Sequence, residues 1–235
     1  MIGYLNQALF GFYPYVALSV FLLGSLVRFD REQYGWRSGS SQLLRRRLLF
    51  IGSNFFHIGI LAILAGHFVG LLTPHVIYTS LGLSVEAKQL MAMIIGGVFG
   101  ILCFVGLTLL IYRRLVDPRI RATSSAMDIA ILLLIYVQLI LGLASIFVSA
   151  GHLDGSEMLK LADWAQRIVT LRGGAADAIA DVDHIFKIHI LLGMTIFLLF
   201  PFSRLVHIWS APIGYLGRSY QVVRRRGGSS AMRGR

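Results

Sequence analysis

Five stretches of this chain, residues 4–27, 48–72, 90–112, 129–150 and 185–202, run almost without charge, the last continuing to about residue 209. A membrane-crossing helix needs about 20 apolar residues to span roughly 30 Å of hydrocarbon, and in lipid only a helix or a closed barrel satisfies every backbone N–H and C=O. The expected fold is therefore all-α: an integral membrane bundle of five transmembrane helices. Composition agrees, since 56% of the 235 residues are apolar and 14% charged, where soluble domains carry roughly a quarter charged. The first run holds no positive charge before Arg28, and it is too long for the apolar core of a cleaved signal, so it is read as a retained helix. The fifth carries Lys187 near its start, Pro201 within it and Arg204 near its end. That pattern predicts a kink at the proline and charged ends that snorkel to the interface.

The net charge of +11 would suggest nucleic acid as a partner if the basic residues were less unevenly placed. Instead, 17 of the 22 Lys and Arg residues fall in 28–47, 113–126 and the tail from 204, leaving Lys88, Lys160, Arg167, Arg172 and Lys187 for the other side. The positive-inside rule then puts the N-terminus outside and the C-terminus in the cytoplasm. Most of these arginines read as topology signals, and their face can also dock a partner or anionic lipid; no nucleic-acid partner is expected. The connection 151–184 is the longest and holds six of the eleven acids. Within it Met158, Leu161, Ala165 and Ile168 recur at helical spacing, so 156–169 is expected to lie as an interfacial helix on the outer surface. Residues 1–226 make one membrane domain, and the Arg, Gly and Ser content of 227–235 predicts a disordered basic tail. The single cysteine, Cys103, closes no intrachain disulfide, builds no iron-sulfur cluster and leaves no Cys-x-x-Cys-His for covalent haem.

Four of the seven histidines lie within spans: His57 and His67 in the second, His189 and His207 in the fifth. An ionisable group inside a membrane is costly and needs a partner, and neutral imidazole is the common nitrogen ligand of haem iron. Spans two and five run antiparallel, so early in one is level with late in the other. His57 should face His207 near the cytoplasmic side, and His67 should face His189 nearer the outside. Two bis-histidine b-type haems follow from this pattern, with histidines hydrogen-bonded between helices, or a proton relay, as the alternatives. The spacings do not match: ten residues of helix rise about 15 Å and eighteen about 27 Å, although eighteen steps of about 100° return to one face. Gly52, Gly59, Gly66, Gly70 and Gly193 supply places without a side chain for a flat macrocycle. His75 is read as interfacial, and His152 and His184 as exposed or near a substrate. Arg113 and Arg114 close the third span, where a guanidinium can meet haem propionates or simply anchor the helix. Lys88, at the outer mouth, can donate to a quinone oxygen or stay a solvated charge paired with Glu86.

The strings SNFFHIGIL (53–61), GHFVGLLTPH (66–75), EAKQLMAM (86–93), DGSEMLKLADWAQ (154–166) and FPFSRLVHIWSAP (200–212) carry a resemblance. With them the chain resembles the gamma subunit, a diheme cytochrome b, of the membrane-bound respiratory nitrate reductases, from about residue 13 to 223. The resemblance implies a multi-pass protein of the bacterial cytoplasmic (inner) membrane that oxidises quinol at its outer side. Electrons would pass through two b haems to an iron-sulfur beta subunit, and then to a molybdenum-containing alpha subunit that reduces nitrate to nitrite. It assigns His57 and His207 to the haem proximal to those subunits and His67 and His189 to the distal haem. It places Lys88 near the quinol site beside the distal haem, and the outer mouth between Lys88, Gly66 and the second helix is where quinol is expected to bind.

Overall fold

The structure, a computed structural model, describes residues 2–32, 44 and 46–210; the tail expected at 227–235 lies outside the described residues. Every regular element among the described residues is helical. Five segments are long and apolar enough to cross a membrane: α1 (Gly3–Arg31), α2 (Arg46–Leu72), then after the short α3 (His75–Ser80) α4 (Val85–Val116), after α5 (Pro118–Ala122) α6 (Ala126–Ala150), and a last span, His184–Phe202. Between the last two lie α7 (Ser156–Val169) and the single turn α8 (Ala175–Ala178). The α-helical part of the last span is α9 (His184–Leu199).

Polar side chains set the helix starts. Ser84 Oγ accepts from Ala87 N at the head of α4, Ser125 and Asp128 form a reciprocal capping box on α6, and Asp183 accepts from Ile185 N on α9. Each supplies an acceptor to a first-turn N–H that has no helical partner. The α4 helix has 32 residues, about 48 Å at 1.5 Å per residue. It therefore overreaches the hydrocarbon, which is why Glu86, Lys88, Arg113 and Arg114 can sit in its end turns.

The spans pack in the order α2, α4, α6, α9, α1, with the α2–α4 contact the most extensive. Glycine makes that contact possible. A Cβ on Gly59 would stand 2.6 Å from Cys103 Cβ and 2.7 Å from the Phe99 carbonyl oxygen, one on Gly106 would collide with the Phe56 amide, and one on Gly52 would lie 3.2 Å from the Gly106 carbonyl. Gly52 and Gly59 thus serve the helix crossing and not a macrocycle, which corrects the sequence expectation for these two residues. Gly66 and Gly70 meet nothing within 4 Å. Forcing a methyl into a packed contact costs about 1–3 kcal/mol. Gly106→Ala is therefore expected to lower the thermal unfolding midpoint of the purified protein, whereas Gly96→Ala on the same helix, with nothing within 4 Å, should leave it unchanged or raise it. Equal midpoints for the two variants would show that α2 and α4 do not meet this closely.

The helix over Ser156–Val169 forms where expected, but its apolar face is covered by protein. Trp164, Ala165 and Ile168 are buried with Phe10, Ala176, Ile179 and Phe186. The Trp164 indole N–H donates to the Phe10 carbonyl at 3.0 Å, inside a π-helical turn (Gln7–Phe12) of α1. On its polar side Lys160 bridges Glu157 at 3.1 Å and Asp181 at 2.8 Å. These two acceptors hold its ammonium above the usual lysine range, and Lys160 in turn holds the Asp181 carboxyl below its own.

The last span departs most from expectation. In place of a kink at Pro201, the α-helix ends at Leu199, a 3₁₀ turn covers Phe200–Phe202, extended Ser203 redirects the chain, and a second 3₁₀ segment runs over Arg204–Ser210. Proline has no N–H to continue the ladder. Arg28 from α1 closes the break, its Nη1 donating to the Pro201 carbonyl at 2.6 Å and the Ser203 carbonyl at 2.9 Å. Ser203 Oγ also accepts from Leu205 N at 3.2 Å and starts the second segment. Phe21 packs edge-on to Phe200 at 4.8 Å and stacks on Trp209 at 5.4 Å, holding that segment against α1.

Candidate functional site

Span two lies on α4 and span five between α1 and α6, and across the gap between them four imidazoles meet in two pairs. The ring centres of His57 and His207 are 6.4 Å apart with planes at 74°, and those of His67 and His189 are 6.1 Å apart at 32°. These are the pairs that antiparallel spans require. The spacing mismatch is resolved by the break after Leu199: His207 stands on the redirected 3₁₀ segment, so the eighteen-residue same-face count on one continuous helix does not apply.

The tautomers are set by backbone. His57 Nδ1–H donates to the Ser53 carbonyl at 2.7 Å, His67 Nδ1–H to the Ile63 carbonyl at 2.9 Å and His207 Nδ1–H to the Arg204 carbonyl at 2.6 Å. A carbonyl can only accept, so each ring carries its proton on Nδ1 and its lone pair on Nε2. His189 reaches the same tautomer by another route: the Gln138 amide of α6 donates to its Nε2 at 3.3 Å and to its backbone carbonyl at 3.0 Å.

A first-row metal bound to imidazole sits about 2 Å from the ring nitrogen, itself about 1 Å from the ring centre, so two rings on opposite sides of one ion have centres about 6 Å apart. Both pairs fit. Among the described residues no three His, Cys, Asp or Glu side chains converge. Each pair therefore offers two ring nitrogens, and a metal held there would need its remaining ligands from a group such as a porphyrin. Gly66 and Gly70 leave the surface beside His67 bare.

Near that bare surface, Lys88 Nζ donates to the Gly70 carbonyl at 2.8 Å and lies 3.9 Å from the centre of the Tyr78 ring. The reason is Pro74: in a continuing helix its N–H would bond Gly70, and proline has none. Gln166 of α7 meets the next carbonyl, Leu71, at 3.0 Å. Lys88 is thus tied to the end of α2, and among the described residues no ion pair joins it to Glu86. The Tyr78 ring is buried, which pushes its phenol above the usual range, and its hydroxyl has no partner among the described residues. Arg113 is buried at the opposite end of α4 and donates to the Leu44 carbonyl at 2.7 Å. Asp128 lies 3.9 Å from both Arg114 and Arg204, linking α4, α6 and the His207 segment. His75, His152 and His184 are exposed and outside both pairs.

Sequence reasoning missed Gln138 and Tyr78. A signal for the first was present, since Gln138 is the one amide side chain in the apolar α6 sequence, and a polar group inside a span calls for a partner. Tyr78 lies outside the apolar runs and offered none.

Five helices long and apolar enough to cross a membrane, with two imidazole pairs between the second and the fifth, define the class of polytopic helical membrane proteins. Residues 6–226 match the family model described as nitrate reductase gamma subunit. The chain is 55% identical over 223 residues to the respiratory nitrate reductase 1 gamma chain of Escherichia coli (strain K12), covering 95% of this chain and 99% of that one. It is 40% identical over 221 residues to the nitrate reductase gamma chain of Bacillus subtilis (strain 168), covering 94% and 99%. The chain belongs to the nitrate reductase gamma subunit family.

Proposed function

We propose that this chain is the quinol-oxidising, diheme cytochrome b subunit of a respiratory nitrate reductase, set in the bacterial cytoplasmic membrane with its N-terminus outside. The observation that carries the reading is the pair of imidazole pairs, at 6.1 and 6.4 Å, with all four lone pairs on Nε2. His67 and His189 hold the outer b haem, and His57 and His207 the inner one. When bound, the two haems supply one-electron carriers at two depths of the bilayer.

Lys88 and the bare surface at Gly66 and Gly70 form the quinol site. An ammonium has three protons; one is committed to Gly70, and the others can meet a quinone oxygen and stabilise charge on it as the quinol loses its protons. Each quinol gives up two electrons and two protons. The electrons move inward and the protons leave outward, which separates charge across the membrane. On this reading Arg113, which donates to the Leu44 carbonyl, also meets propionates at the cytoplasmic side, and the Arg-rich face docks the iron-sulfur beta subunit, which passes electrons to the molybdenum-containing alpha subunit. The names of the relatives, gamma chains of nitrate reductases, support that partnership. Membrane lipid covers the exposed apolar spans.

Haem content tests the reading. Two b-type haems per chain are expected, and acid acetone should extract both, because Cys103 is the single cysteine and no covalent attachment motif exists. One haem per chain, or haem retained after extraction, would contradict it.

A further inference from the structure

His189 is the one pair member whose ring is held by another span, and the contact is reciprocal. On α6, Gln138 and Gly142 are one helical turn apart; on α9, His189 and Gly193 are likewise. The His189 ring lies on Gly142, where a Cβ would stand 3.1 Å from Cε1, and the Gln138 amide lies on Gly193, where a Cβ would stand 3.2 Å from Nε2. Each polar side chain occupies the place left by the other helix's glycine. Among the described residues two buried atoms in this clasp have no partner: Gln138 Oε1, an acceptor, and His189 Nδ1, which carries the proton. Buried polar atoms are rarely left unpaired.

We propose that Gln138 is the positioning residue of the His67–His189 pair, fixing the tautomer and ring plane of His189 and supplying Oε1 as the acceptor for its Nδ1–H once Nε2 is committed to iron. In the described state the Gln138 N–H occupies the Nε2 lone pair. With Nε2 given to a metal, the Gln138 N–H would leave it, the amide would keep its bond to the His189 carbonyl, and Gln138 Oε1 would accept from His189 Nδ1–H, so that the two partnerless atoms of the clasp complete one another. The other three rings have backbone carbonyls in this role, so His189 alone depends on a side chain that can be changed. An acceptor on the far nitrogen makes an imidazole a stronger electron donor, which favours oxidised iron.

The inference rests on His189 being an axial ligand, and its test separates the two claims. In membranes holding the full complex, Gln138→Met keeps the side-chain volume and removes the acceptor. Both haems should remain, while the paramagnetic resonance signal of one haem, the one lost in His67→Ala, shifts its principal g value. The midpoint potential of that same haem should rise by about a tenfold change in its reduction equilibrium, or about 59 mV for one electron. Should Gln138→Met release that haem, Gln138→Glu, which keeps an acceptor in place, should retain it at a lowered potential. Wild-type g values and potentials for both haems in Gln138→Met, or a shift confined to the other haem, would overturn the proposal and leave the ligand assignment standing. Two haems persisting in His189→Ala would overturn the ligand assignment itself, and the proposal with it.

Discussion

Alanine at His67 or His189 is expected to remove one haem and leave the other, and alanine at His57 or His207 to do the reverse. A bis-imidazole site fails when either ring is lost, because no other His, Cys, Asp or Glu cluster among the described residues stands ready to replace it. Partners in a ring pair, 6.1 or 6.4 Å apart, should therefore share one phenotype. The expected effect is the loss of one of two haems, read as a halved pyridine haemochrome content, with quinol-driven nitrate reduction abolished in all four variants because the electron path is cut. Loss of the same haem in His57→Ala and His189→Ala, with the other lost in His67→Ala, would show that the spans are paired differently.

The second large effect falls on Lys88. Its ammonium is held by the Gly70 carbonyl at 2.8 Å and lies over the Tyr78 ring, so it is presented at a fixed point and not free in solvent. A charged hydrogen bond to a developing oxyanion contributes about 1.5–3 kcal/mol, and about 1.4 kcal/mol corresponds to a tenfold rate. Lys88→Ala should slow quinol oxidation by roughly ten- to a hundredfold with both haems retained. The same lysine also caps α2, so the two roles must be separated. Methionine at this position keeps the packed stem over Tyr78 and loses the donor, and it should slow the reaction as much as alanine does. A wild-type rate of quinol-dependent haem reduction in haem-replete Lys88→Met would remove the lysine from the site and leave it a structural cap.

The spans were legible in the sequence because lipid imposes one requirement on every spanning segment, a long uncharged run. The histidine pairing was legible because five crossings fix the relative direction of spans two and five. Depth was not: Pro201 is compatible with a kinked helix or an ended one, and the choice was made by Arg28, which reaches the Pro201 and Ser203 carbonyls from more than 170 residues away. The glycines show the same limit. A glycine in a span can admit a neighbouring helix or leave a bare surface, and on one face of a helix, to which seven residues nearly return, the outcome depends on where along its length the span diverges from its neighbour. Gly59 faces Cys103 of α4, while Gly66, seven residues on, faces open space. The contacts of Lys88 and Gln138 were hidden for a related reason, since their partners, Gly70 and His189, are set by helix ends and crossings that no local pattern encodes.

Each ring pair joins a residue made early to one made late. A nascent chain that has completed α6 already contains His57 and His67 but neither His189 nor His207, and α2 by then can settle on α4 without them. The order of synthesis therefore builds an open half-clamp first and adds the closing jaw last. A group bound between the rings would find both of its partners only after the last span has joined the bundle, and a chain halted after Ala150 would hold one ring of each pair.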